Sequence, residues 1–205
     1  MPKPRKSPRQ QRSRETFERV LDVAAKTFEE LGYAGTTTNK VAEAAGISIG
    51  TLYHYFPDKD ALLYALADRH LAHASESMMA VFARLREGQP DLGTSLRAGI
   101  EVIVRLHIEE PQLHSLLYDS APRSEALLAR LRAANVAIAE EVARNFERLG
   151  ISGDQRALVA SMVVAGIEAQ VHSALIDAAE PVETELLLDT LTALWLRALQ
   201  GQLDA

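Results

Sequence analysis

The chain has 205 residues, 47% of them hydrophobic and 24% charged, the balance of an ordinary globular protein with one sizeable core or two small domains. Cysteine is absent, which excludes disulfide frameworks, thiolate metal sites and cysteine nucleophiles, and is compatible with a reducing cytoplasm. The net charge of −6 is unevenly spread: residues 1–60 carry ten Lys/Arg against eight Asp/Glu and the remainder twelve against twenty, so a polyanion-seeking end precedes an acidic body.

Residues 1–12, rich in Pro and basic side chains, read as a flexible basic arm. Phe17, Val20, Leu21, Ala24, Phe28 and Leu31 then recur at helical spacing, and Gly32 and Gly35 stop that helix. A short helix over 38–45 follows, with Thr37 placed to cap it. Gly46 breaks it, and Ser48 caps a second short helix running to about Tyr55. Pro57-Asp58 opens a long helix over about 59–86. Further helical stripes cover about 93–109, 112–120, 123–149, 154–179 and 183–200, separated by Gly and Pro. No segment alternates with strand chemistry, so the fold class is all-α with about nine helices. The expected domains are the arm, a head over 13–60 and a body over 61–205.

Two helices as short as those around Gly46 are not stable alone and need packing against the first helix. Ala42 is small enough for a close crossing, Gly46 allows a sharp turn with positive φ, and Val41, Ile47 and Leu52 supply apolar plugs. That is the helix-turn-helix pattern. Its second helix offers Ile49, Gly50, Thr51, Tyr53 and His54 outward and keeps Leu52 and Phe56 inside. Tyr53 and Tyr55, two apart, cannot share one face, so at least one is exposed. Hydroxyls, phenols and one lysine are donors suited to phosphate oxygens.

Residues 13–66 resemble the N-terminal domain of the TetR/AcrR family of transcriptional repressors. The matching stretches are FEELGYAGTT and VAEAAGISIGTLYHYFPDKDAL, within about a quarter of the chain. The resemblance implies a homodimer whose second short helices enter the major grooves of a pseudo-palindromic operator in double-stranded DNA. It also implies a C-terminal domain that releases DNA on binding a small effector. On this basis Thr37, Thr38, Ser48, Ile49, Gly50, Thr51, Tyr53, His54, Tyr55 and Lys59 form the expected DNA-binding set. Ile49 departs from the polar or basic residue many members carry, and an apolar side chain there packs on a thymine methyl and cannot hydrogen-bond a guanine.

In the body, polar residues on otherwise apolar helices are candidates for an effector pocket: Glu101, Arg105, His107, His114, Tyr118, Asn135, Glu168 and His172. Each is also readable as a solvated or satisfied group. The helices over 154–200 are apolar nearly all round, so Leu158, Met162, Ile167, Leu187, Leu191, Leu194 and Trp195 are expected at a two-fold interface, the alternative being a monomer's core. His70 and His73 stand three apart with no matching third ligand, so neither a metal nor another cofactor is expected.

No glycine-rich phosphate loop, metal-spaced His/Glu motif or nucleophile elbow is present, so no enzyme is expected. The longest apolar run, Leu158 to Ile167, is far short of the ~20 residues of a membrane span, and no apolar stretch follows the basic N-terminus. The expected function is a cytoplasmic, nucleoid-associated repressor released by a lipophilic effector. A DNA-associated structural or cell-division factor with the same head and no effector is the alternative.

Overall fold

The computed structural model describes residues 8–151, 155–180 and 182–203. In chain order the helices are α1 (Pro8–Gly35), α2 (Thr38–Ala44), α3 (Ile49–Tyr55), α4 (Lys59–Gly88), α5 (Leu92–Glu109), α6 (Pro111–Ser115), α7 (Glu125–Arg148), α8 (Arg156–His172) and α9 (Thr184–Leu203). Wider π-helical turns continue α6 through Leu116–Ser120 and α8 through Ser173–Asp177. No strand occurs among the described residues, and the all-α class holds.

Two compact units divide the chain. The first contains residues up to Arg69 with Leu116–Pro122, and the second His70–Ser115 with Arg123 onward. The head thus extends past residue 60, the boundary drawn from sequence. Leu62, Leu63, Leu66 and Ala67 of α4 are all buried, and a head made of α1 and two seven-residue helices needs those side chains to complete a core with Val20, Leu21, Phe28, Val41, Leu52 and Phe56. Arg69 pairs with Asp22 at 2.7 Å, fastening α4 to α1.

Helix α1 starts at Pro8, inside the stretch read as an arm, while residues 1–7 lie outside the described residues. Proline is tolerated in a first helical turn, and Gln10, Gln11 and Arg12 are good helix formers. At the other end Gly32, with φ 66° and ψ 176°, interrupts the helical backbone. The buried Thr36 hydroxyl lies 2.8 Å from the Gly32 carbonyl and 3.1 Å from that of Thr27, satisfying groups that the interruption frees.

In the second unit one cluster joins Leu96, Ile100, Phe146, Ile151, Ala160, Val163, Ile167, Leu187 and Leu191, and another joins Met78, Val81, Phe82, Leu85, Val102 and Leu106. The segment Arg156–Asp177, mean hydropathy 1.5, is long and apolar enough to cross a membrane, although the sequence reading ended its apolar run at Glu168. One side of it supplies core residues Ala160, Val163, Val164, Ile167 and Val171. Its other side carries Leu158 and Met162, each 60% exposed.

Helices α8 and α9 meet where Gly166 faces Trp195. A Cβ added at Gly166 would stand 2.5 Å from Trp195 Cζ2 and 2.9 Å from Cη2. The indole cannot simply swing away, because its N–H donates to Gln170 Oε1 at 2.9 Å. Gly166→Ala therefore sets a helix-propensity gain of about 1 kcal/mol against an overpacking cost of about 1–3 kcal/mol. The expected result is net destabilisation in urea unfolding, and a more stable variant would contradict this packing.

Candidate nucleic-acid interface

The turn between α2 and α3 is built by Gly46 with φ 65°, which a side-chain-bearing residue adopts only at a cost. Both short helices are capped as their sequences require. Thr37 accepts from the Lys40 N–H at 3.3 Å, and Ser48 from the Thr51 N–H at 3.1 Å. Leu52 is fully buried, while Gly50, Thr51, Tyr53 and His54 are exposed and Ile49 is half-buried. One helix seven residues long thus has a sealed side and an open side.

The two tyrosines separate as their spacing demands. Tyr53 is 50% exposed, its hydroxyl 3.3 Å from Thr38 Oγ1. Tyr55 is half-buried, shares a 3.1 Å hydrogen bond with Ser13 of α1, and lies edge-on to Phe17. Phe17 also stacks on Phe56 at 4.9 Å, so this aromatic cluster fixes how α3 leaves the core. Tyr55, expected among the DNA contacts, is in large part a brace.

Lys59 also has a structural role. Its ammonium donates to the Tyr33 carbonyl at 3.0 Å and stands 4.0 Å from the centre of the Tyr33 ring. An ammonium has three donors, so others remain for a phosphate. Lys40, which the sequence reading passed over, is exposed on α2 and donates to the Gly35 carbonyl at 2.8 Å. The available signal was its position as the only Lys or Arg between Lys26 and Lys59.

The Tyr33 hydroxyl donates to Asp60. Burial first, then that bond and the carboxylate's charge, push the phenol from its usual value up to about 12. Because the folded state holds this proton between about pH 10 and 12 and the unfolded chain does not, the associated stability is present below pH 10 and fades as pH rises through that window. In alkaline absorbance titration a phenolate step near pH 12 is expected in the wild type and absent in Tyr33→Phe.

The residues proposed for an effector pocket do not form one site. Glu101 and Arg105 share the exposed face of α5, where Arg105 pairs with Glu109 at 3.8 Å. Tyr118 belongs to the first unit, and Asn135 is half-buried on α7. His107, His114 and His172 do converge, with Glu168 Oε1 3.7 Å from His107 Nε2. His70 joins them, its ring 4.6 Å from that of His114, whereas His73 is exposed.

A separate apolar cavity of ≈ 50 Å³ lies between Met78, Phe82, Ile100, Ile103, Val142 and Ile167, with Ser95 and Asn145 as its polar wall. None of the eight residues expected from sequence lines it. The cavity formed where core helices pack imperfectly, not where polar residues interrupt an apolar stripe.

The interface set also divides. Ile167, Leu187 and Leu191 are 5–7% exposed within the unit's own core, which corrects their placement on a subunit surface. Leu158, Met162 and Leu194 face outward, as does Leu186, and Trp195 is half-buried against Gly166. Helices apolar all round spend one side on the core and leave the other.

Residues 20–66 match the profile of the bacterial regulatory proteins of the tetR family. An uncharacterised helix-turn-helix type transcriptional regulator from the dhlA 5′ region of Xanthobacter autotrophicus is 28% identical over 89% of this chain and 90% of its own length. The helix-turn-helix type transcriptional repressor Rv1474c of Mycobacterium tuberculosis is 32% identical over 55% of this chain, which spans 63% of that protein. Among solved structures, a tetR-family regulator from Mesorhizobium loti shares the fold with a TM-score of 0.74 at 20% identity, over 93% of this chain and 98% of that one. A glycine-turned, doubly capped helix-turn-helix head agrees with these likenesses: residues 20–66 carry the helix-turn-helix domain of the bacterial regulatory proteins of the tetR family, and the chain as a whole shares the all-helical fold of the tetR-family structure.

Proposed function

We propose that this chain is a dimeric, cytoplasmic repressor that reads a pseudo-palindromic operator with α3 and leaves it when a small lipophilic effector binds the body. The observation that carries the reading is α3 itself: Gly50, Thr51, Tyr53 and His54 exposed, Ile49 at the edge, and the opposite side sealed by Leu52. A recognition helix needs that division, since its inner face must be rigid while its outer face meets base edges and phosphates. Ile49 offers an apolar contact, which suits a thymine methyl.

Dimerisation is assigned to the outward sides of α8 and α9. Leu158, Met162, Ala165 and Ala169 are exposed at one helical spacing, and Leu186, Thr190 and Leu194 at another. Two such stripes and their two-fold copies make a four-helix contact. For the effector, the cavity walled by Phe82, Ile100 and Ile167 supplies the apolar chemistry. At ≈ 50 Å³ it is far below the ~300–1,000 Å³ of a drug-sized site, so an occupant has to select an opened state. Linkage then requires that the effector weaken DNA binding by the same factor by which DNA weakens effector binding.

The test is selection of bound sequences from a random duplex library at fixed salt. A two-fold palindrome with half-sites roughly 34–36 Å apart supports the reading. Salt-sensitive binding with no enriched sequence overturns it.

A further inference from the structure

His107, His114 and His172 come from α5, α6 and α8, yet one ring nitrogen of each lies within 4.8 Å of the others. The His107 and His114 rings stack at 3.7 Å, and His172 stands edge-on to His107 at 5.6 Å. His107 and His114 are 1% and 2% exposed, and His172 is 9% exposed. Apolar side chains would fill this space without the cost of burying imidazoles, so packing alone does not account for three of them.

The orientation of His107 is specific. Its Nδ1–H donates to the Ile103 carbonyl at 2.9 Å, which fixes the tautomer and leaves the lone pair on Nε2. That nitrogen is buried with no hydrogen-bond partner among the described residues, and Glu168 Oε1 is 3.7 Å away. A backbone carbonyl on one ring nitrogen is the outer support typical of a metal-ligating histidine. His70 borders the group, its Nδ1 held by Glu110 Oε2 at 2.7 Å.

We propose that His107, His114 and His172 form a binding site for a divalent late first-row transition-metal ion of the zinc class, with Glu168 as the adjacent oxygen donor. Three imidazoles and a carboxylate match the tetrahedral donor set of zinc and are poor ligands for calcium or magnesium. With bonds of ~2.0–2.1 Å the donor atoms stand roughly 3.4 Å apart, so the rings draw in slightly around the ion. The site lies wholly within the second unit and does not depend on whether the head reads DNA.

The test uses the untagged, chelator-stripped full chain, titrated with Co²⁺ by absorbance and with Zn²⁺ by calorimetry. One ion per chain is expected, together with a zinc-dependent rise in the thermal midpoint. His107→Ala and His172→Ala should each weaken binding by at least the ~10–100-fold typical of changes to a metal's outer support. His73→Ala, which alters an exposed residue, should leave binding unchanged. Absence of stoichiometric binding to the wild type overturns the proposal without any variant having to fold. Undiminished binding by both alanine variants overturns it as well.

Discussion

Tyr53→Ala is expected to lower affinity for the selected operator by about ten-fold or more at fixed salt, while helical content stays that of the wild type. Tyr53 is half exposed, and among the described residues its polar contact is the long 3.3 Å approach to Thr38, so its removal costs the head little. A well-placed groove contact is worth about 1–3 kcal/mol, and about 1.4 kcal/mol is a factor of ten. The neighbouring residue supplies the contrast. Leu52 has no exposed surface, and Leu52→Ala should cost about 2–5 kcal/mol of fold stability and lose DNA binding through unfolding. Circular dichroism separates the two. Full affinity in Tyr53→Ala would remove α3 from the DNA interface. Ile49→Ser differs again: an altered preference at one base position is expected in a repeat selection, and uniform weakening across all sequences would contradict a methyl contact there.

How much of this was readable from sequence depends on whether the cause was local. Gly46 at positive φ and the Thr37 and Ser48 caps depend on residues a few positions apart, and each appears as its residue type requires. The separation of Tyr53 from Tyr55 follows from helix geometry alone. Lys59 was harder, because its bond to the Tyr33 carbonyl joins residues 26 positions apart across a fold that had first to form. His107, His114 and His172 were legible one by one as polar residues on apolar helices, but their convergence was beyond reach for the same reason. The visible pair, His70 and His73, is divided by its own helix into a buried and an exposed member, while the three that meet come from different helices. On α8 and α9 the composition announced burial on several sides without telling core from partner. Only the packed unit sorts Ile167 from Met162.

That sorting sets up the prediction with the largest effect on assembly. Met162→Glu should turn the proposed dimer into a folded monomer. At 60% exposure Met162 contributes little to its own subunit, so a carboxylate there costs the isolated chain almost nothing. In a two-fold contact the charge enters an apolar interface from both copies, and each uncompensated buried charge costs about 3–5 kcal/mol. The dimer dissociation constant should therefore rise by more than ~100-fold, measurable by sedimentation at micromolar concentration. Operator affinity should fall with it, since a monomer holds one half-site and loses the effective concentration that the second head supplies. Ile167→Ala is the counterpart from the buried side of the same helix: its expected loss is fold stability, with subunit association following only as the chain unfolds. A Met162→Glu protein that stays dimeric would move the interface off this face of α8, and a monomeric wild type would leave the paired half-sites of the operator without a physical cause.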